Sequence, residues 1–368
     1  MKRFKCKECG KSFTAKQEFT TKRSKVSTET VLIVLNALRK YTCTFSHAGE
    51  IAHVSNTTAM NIFDKYVNPK RRQLVNVIAM DEVYNKEQFH YPYSCVLFDF
   101  MNSKIIDVIQ DRSKESLSRY FRKIKKEERE IVQYVVMDMW EPYVDIVQTF
   151  FKNATIVIDS FHVLKEINTA LDKLRCRVMR RYEKETDEYA LLKKYNDLLF
   201  SSHSSMNEKQ YNKRFKRYVN SYDLLEMLLK IDPELNKAYT FAANYRTFNK
   251  YANEVTAREI FEKLTSNMEL VKIEEFRPII KMLRNWKEYI LNSFTKVEGR
   301  RLSNGPIEGC NSQIKKLMRI SNGLENVNRF RNRLMFCYNN EMAVSPASTR
   351  ITKCKRKKRG KYKKAIKN

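Results

Sequence analysis

Three short apolar runs in this chain each end in an aspartate: residues 74–80 before Asp81, 131–137 before Asp138, and 154–158 before Asp159. Runs this short, rich in Val, Ile and Met, read as buried strands. Two further β-rich runs, 93–100 and 104–110, flank Met101-Asn-Ser103 as a hairpin, and an amphipathic helix is expected over 114–128. A second helix over 142–150 separates the last two runs. The order is β, β-hairpin, α, β, α, β. Right-handed crossovers then make the strands before the three aspartates neighbours in one sheet, parallel to each other. A carboxylate flush with a buried strand is costly unless it is paired or holds a metal. Ligands of open α/β sheets gather at the carboxyl ends of strands. Clustered carboxylate oxygens there suit Mg²⁺, and two such ions can clamp the attacking and leaving oxygens of an in-line phosphoryl displacement. One strand-end aspartate is as readily a turn former or helix cap; three in this order point to chemistry.

The charge balance names the substrate class. Lys and Arg exceed Asp and Glu by 29 over 368 residues, which points to a polyanion partner. Residues 353–367 hold ten Lys/Arg and no acid, a tail suited to non-specific phosphate contacts. With only seven Gly, and neither glycine-rich phosphate motif, a nucleotide-cradle fold is excluded. A 42% apolar fraction excludes global disorder. No apolar run approaches the roughly 18 residues of a membrane span. With a basic start that lacks an apolar signal region, a cytoplasmic, nucleoid-associated protein is expected. Cys43, Cys95, Cys176, Cys310, Cys337 and Cys354 are scattered without framework spacing, as reduced thiols would be.

Ahead of the strands, residues 27–67 keep helical spacing. Ser46 is expected to cap a helix over 46–53; a turn follows, then a helix over 57–66. Asn56, Thr57, Thr58 and Asn61 stand where a helix-turn-helix presents base-contacting side chains; a plain helical hairpin is the other reading. Cys6 and Cys9, followed by Gly10, have the spacing of a zinc knuckle, yet tetrahedral zinc needs four ligands. The next candidates, Cys43, His47 and His53, fall in the helical stretch, so Zn²⁺ is the weaker of the two metal expectations. Downstream, 163–300 is charged and helical. The break at 302–306 precedes a helix over 307–318 with Glu308 in its first turn, and a basic helical stretch covers 326–339.

The motifs Ala79-Met-Asp81-Glu-Val, Val136-Met-Asp138-Met-Trp140-Glu-Pro-Tyr143, Val157-Ile-Asp159-Ser-Phe-His162-Val and Ser303-Asn-Gly-Pro-Ile-Glu308-Gly-Cys-Asn311-Ser-Gln-Ile-Lys315 together resemble the bacterial insertion-sequence transposases of the DDE type, ISL3 group. The resemblance spans roughly residues 1–340. It implies an α/β fold, an RNase H-like mixed sheet with a long helical insertion, behind an all-α helix-turn-helix domain and a four-cysteine zinc ribbon. The expected parts are a partial ribbon over 1–25, a helix-turn-helix over 26–70, a catalytic domain over 71–340 with its insertion at 163–300, and a basic tail over 341–368. Only one CxxC pair stands behind Met1, so the ribbon is expected to be shortened.

Carried over, Asp81 matches the first acid and Glu308 the third. Asp138 is the preferred second acid, and Asp159 with His162 resembles the family's accessory D-x-x-H. His162 is expected to bond a carboxylate or phosphate, or else to sit in the core. Glu82 is left out because strand alternation points it away from Asp81. Asn311 and Lys315 share a helix face with Glu308, where Lys315 would meet a phosphate and Asn311 orient a ligand, unless both are surface. Trp140 and Trp286 would stack on bases or fill the core. The resemblance implies an enzyme that binds element ends, cuts DNA and joins the 3′-hydroxyl to a target, with two Mg²⁺ and as a homo-oligomer on DNA. The rival readings are a truncated DNA-binding relative without chemistry and a nuclease without strand transfer.

Overall fold

The structure is a computed structural model and describes residues 3–14, 26–84, 91–200, 208–321 and 326–340. The basic tail and Cys354 lie outside the described residues. The chain opens with a hairpin of β1 (Arg3–Lys5) and β2 (Ser12–Thr14), with Phe4 and Phe13 stacked across it at 5.8 Å. Three helices follow: α1 (Thr28–Leu38), α2 (Phe45–Ile51) and α3 (Asn56–Tyr66). The expected cap at Ser46 is corrected. Thr44 caps α2, its hydroxyl accepting the His47 N–H at 3.1 Å, so the helix starts one residue earlier and stops at Ile51. The turn into α3 closes tightly. His53 adopts a left-handed conformation (φ 53°), and a Cβ on Gly49 would stand 2.7 Å from the Val54 carbonyl oxygen. That approach admits only glycine. Ser55 caps α3, accepting the Thr58 N–H.

The sheet follows: β3 (Val77–Tyr84), β4 (Tyr93–Asp99) and β5 (Lys104–Ile109), then α4 (Lys114–Phe121) and α5 (Lys126–Glu130), β6 (Tyr134–Met137), α6 (Glu141–Phe150), β7 (Thr155–Ile158) and α7 (Ser160–Met179). The single helix expected over 114–128 is two. Lys123 and Ile124 close tight turns back to Tyr120 and Phe121, and Lys125 is extended. The bend brings Glu128 to Arg71 (2.6 Å) and to the Leu74 N–H (2.8 Å). That ion pair, reached across 57 residues, competes successfully with continued helix.

The sheet runs β5-β4-β3-β6-β7; β3 is antiparallel to β4 and parallel to β6, and β6 is parallel to β7. This is an RNase H-like mixed sheet, and the expected parallel neighbours are present. The register pairs Met80 with Met137 and Met137 with Ile158. The three residues that precede Asp81, Asp138 and Asp159 thus form one row across the sheet. One expectation is corrected: β3 does not end at Asp81 but continues to Tyr84 against β4.

After α7 the insertion contributes α8 (Asp187–Lys194), a hairpin of β8 (Gln210–Asn212) and β9 (Arg217–Val219), α9 (Ser221–Leu229), α10 (Pro233–Tyr251), α11 (Ala257–Val271), α12 (Arg277–Asn285) and α13 (Lys287–Leu291). A short hairpin of β10 (Lys296–Val297) and β11 (Arg300–Arg301) leads to α14 (Gly305–Ile320), and α15 (Val327–Asn339) follows.

Packing divides the chain into two units, residues 71–315 and residues 1–70 with 316–368. In the first, one apolar cluster joins the sheet (Ile78, Met80, Leu97, Val135, Met137, Ile158) to α7 (Val163, Ile167, Leu171, Leu174) and to the insertion (Leu235, Phe241, Tyr245, Phe261, Phe276). Each such side chain contributes about 1.5–3 kcal/mol on burial. In the second, Val34, Leu35 and Leu38 of α1 pack with Ile62 and Phe63 of α3 and with Phe336 of α15, Phe63 and Phe336 meeting edge to face at 5.9 Å. α15 therefore packs with the N-terminal helices through Phe336. No helix among the described residues is long and apolar enough to cross a membrane.

Candidate active site

Asp81 and Asp138 each stand one residue beyond the Met80–Met137 pair, so the parallel register brings them to the same level. Their carboxylates meet that of Glu82; the three ligand oxygens lie within 4.8 Å of one another. Leaving Glu82 out is thereby corrected. The ladder between β3 and β6 stops at Met80 and Met137. Beyond it no β6 backbone stands between the two faces of β3, so a long side chain of the opposite parity can reach the group. Glu82 is held there by an ion pair with Arg112, whose guanidinium lies over the rings of Tyr93 (3.9 Å) and Trp140 (4.6 Å).

The beginning of α14 supplies the next layer. Asn304 donates its side-chain amide to Asp138 Oδ1 at 2.7 Å and its backbone N–H to Asp159 Oδ1 at 3.1 Å. Two turns on, Asn311 donates to Asp81 Oδ2 at 2.6 Å. Asp159 is 3% exposed and caps α7, accepting the Phe161 N–H at 3.2 Å. His162, one turn into α7, places Nε2 3.0 Å from Asp138 Oδ2 and Nδ1 3.6 Å from Asp159 Oδ2. Glu308 lies between the two asparagines in sequence. It is exposed, and it feels the charges of Asp159, His162 and Asp138 without entering the tight group.

The electrostatics follow from this crowding. Burial first, and then the Asp138 charge, push the Asp81 carboxyl up to about 7. Burial also raises Glu82, with Arg112 opposing, and raises Glu308, with Asp159 adding to it. The hydrogen bond to Asp138, and then the Asp159 carboxylate 3.6 Å away, lift His162 to about 10, so it is an imidazolium. The site gathers more negative charge than its own cations neutralise. The buried amide oxygens of Asn304 and Asn311 and Glu82 Oε2 have no hydrogen-bond partner. An all-oxygen donor set with unspent oxygens fits a hard divalent cation.

The other candidates are spread elsewhere. Asn56, Thr57 and Asn61 are exposed on the first turns of α3, whereas Thr58 is half-buried and its hydroxyl bonds Ser55 at 2.9 Å. Lys315 is exposed on α14. Cys6 and Cys9 share the β1–β2 turn, where Gly10 takes φ 66° and donates to the Cys6 carbonyl. The backbone N–H groups of Cys9 and Glu8 hold the Cys6 thiol below its ordinary range. Among the described residues no third ligand joins this pair. Trp140 and Trp286 are half-buried and packed on the core, Trp140 edge-on to Tyr143 at 4.7 Å. Sequence reasoning missed Arg112 and the role of Asn304. The Ser303-Asn304-Gly305 break was visible, but not that its amide would reach back 166 residues to Asp138.

Sheet order and site together define an RNase H-like protein with a carboxylate group able to hold a metal where its central parallel ladder ends. The family is narrower. The DDE transposase family of the ISL3 group, described as "Transposase", matches residues 41–334, and the chain belongs to it. Transposases act on DNA. No curated protein matches the chain.

Proposed function

We propose that this transposase cuts DNA at the ends of its element and joins the freed 3′-hydroxyl to a target, using Asp81, Asp138 and Glu308 as its acid triad. The observation that carries this reading is the meeting of Asp81, Glu82 and Asp138 oxygens within 4.8 Å in a member of a transposase family. Asp81 and Asp138 would hold one Mg²⁺ in common, with Glu308 completing the site for a second. Bound there, Mg²⁺ supplies Lewis-acid stabilisation of the attacking and leaving oxygens. Water is the nucleophile in cutting and the 3′-hydroxyl in joining.

The protein's own residues set the geometry. Asn311 fixes the rotamer of Asp81, and Asn304 fixes that of Asp138. His162 donates to Asp138 and holds a positive charge beside the acids. Asp159 is spent on the α7 cap and the Asn304 N–H, which favours Asp138 as the second acid. DNA is met by α3 through Asn56, Thr57, Thr58 and Asn61, by Lys315 and by the basic tail. The Cys6–Cys9 turn offers half of a Zn²⁺ site. The working form is a homo-oligomer on DNA, in the cytoplasm with the nucleoid.

The test is strand cleavage and joining with duplexes carrying the element ends. Asp81→Asn, Asp138→Asn and Glu308→Gln should each abolish Mg²⁺-dependent cleavage and leave DNA affinity nearly unchanged, because binding comes from Lys and Arg on phosphates. Asp159→Asn should slow cleavage without abolishing it. An inactive Asp159→Asn beside an active Asp138→Asn would reverse the choice of second acid. A native chain that binds the ends but cuts with neither Mg²⁺ nor Mn²⁺ would favour the reading as a DNA-binding relative without chemistry.

A further inference from the structure

The helical unit carries a cation that the described residues around it do not neutralise. Arg333 of α15 is 2% exposed. Its Nη2 donates to the carbonyls of Lys40 (3.1 Å) and Cys43 (2.8 Å), and its Nη1 has no hydrogen-bond partner. The rings of Phe45 and Phe63 lie 5.7 and 6.0 Å away. Among the described residues, the titratable groups acting on it are Cys337, Cys43 and Tyr41, and none is a carboxylate. Guanidinium keeps its charge even when buried, and a buried charge left without a counter-charge is strongly destabilising.

Arg333 also lines a cleft of about 320 Å³, with Ser46, Asn56, Met60, Ser321 and Arg329 around it. Arg329 is matched by Asp64 through a two-point ion pair, which leaves Arg333 as the unbalanced charge among the described residues of the cleft. Among the described residues no Asp or Glu lines the cleft. Asn56 is the first residue of α3, an eleven-residue helix whose leading N–H groups favour an anion. Three elements, α2, α3 and α15, thus turn donors or positive charge toward one space. A tetrahedral anion, with oxygens in several directions, suits donors that arrive from different sides.

We propose that this cleft binds a phosphate group, and that in the working complex the phosphate belongs to the DNA backbone. The second half rests on the DNA-binding reading above; the first does not. A backbone phosphate seated there would fix the depth and angle at which α3 meets the duplex, carrying position without sequence information.

Two measurements on the full chain test it. The first is thermal melting with and without millimolar inorganic phosphate at constant ionic strength. The native chain should melt higher with phosphate. Ser46→Glu, which brings a carboxylate to the cleft, should melt higher without phosphate and lose the response. Arg333→Met should also lose it, and the Ser46 variant keeps the test usable if Arg333→Met misfolds. No response in the native chain, or one that survives in Ser46→Glu, overturns the site. The second measurement is affinity for element-end duplexes in which single phosphates are replaced by neutral methylphosphonates. One or two positions should weaken the native chain and not Ser46→Glu, and the slope of log K against log salt should fall by about 0.9 in that variant. Stabilisation by phosphate with no sensitive linkage overturns the DNA half and assigns the cleft to free phosphate. A native chain that binds no DNA fails the DNA-binding reading instead, and melting alone then decides the cleft.

Discussion

At the scale of single residues, the site is a set of carboxylates held close together by amides. Asp81, pushed up to about 7, binds its proton more tightly folded than unfolded. Its contribution to stability is therefore complete below about pH 4 and is lost as pH rises through 7. Glu82 and Glu308, raised in the same direction, add to that loss. The metal-free melting temperature should fall between pH 4 and 7, and the increase produced by Mg²⁺ should grow over the same interval, because cation and proton compete for one carboxylate. Asp81→Asn should flatten both curves; a curve unchanged in that variant would place the titration elsewhere. Asn311→Ala and Asn304→Ala should each lower metal affinity or cleavage about 10–100-fold, measured by Mg²⁺ titration of the reaction. Such a loss with unchanged melting would separate positioning from folding. The aspartates were legible because apolar runs stop at them. Glu82 was not, because alternation along β3 describes a strand with neighbours on both sides, and β3 has left β6 behind by that point.

Elements carry the next level of argument. The strands β3, β6 and β7 could be read from apolar runs, and their adjacency from the handedness of crossovers. The register could not: only the pairing of Met80, Met137 and Ile158 shows that the three aspartates stand at one level across the sheet. Helix limits failed where long-range contacts intervene, as at α4–α5, where Glu128 answers to Arg71 rather than to its own helix. α15 is legible as a helix, but its packing against α1 and α3 is not, since a basic amphipathic pattern does not name the surface it covers. Phe336→Ala should therefore destabilise the helical unit by about 3–5 kcal/mol. Leu174→Ala should instead cost about 2–5 kcal/mol in the sheet unit. Urea unfolding followed by proteolysis would tell which unit opens first in each variant; the same unit opening in both would contradict the division.

For the whole molecule, the excess of 29 positive charges bears on the proposed encounter with DNA. Deleting residues 353–367 should flatten the dependence of log K on log salt, by about 0.9 for each phosphate that the tail had neutralised, while preference for the element ends is retained. Binding measured across a salt series would show it, and an unchanged slope would mean that the tail does not meet DNA. The carboxylates have a different dependence, on order of synthesis. Asn311 reaches Asp81 across 230 residues, and Asn304 reaches Asp159 across 145. A ribosome adding roughly 5–20 residues per second releases the strand of Asp81 many seconds before α14 exists. Through that interval the nascent chain lacks the asparagines that hold Asp81 and Asp138, so on the proposed reading its site is incomplete. On the proposed reading, a product that ends inside the insertion lacks α14, with Asn304, Glu308 and Asn311, and should not cleave DNA.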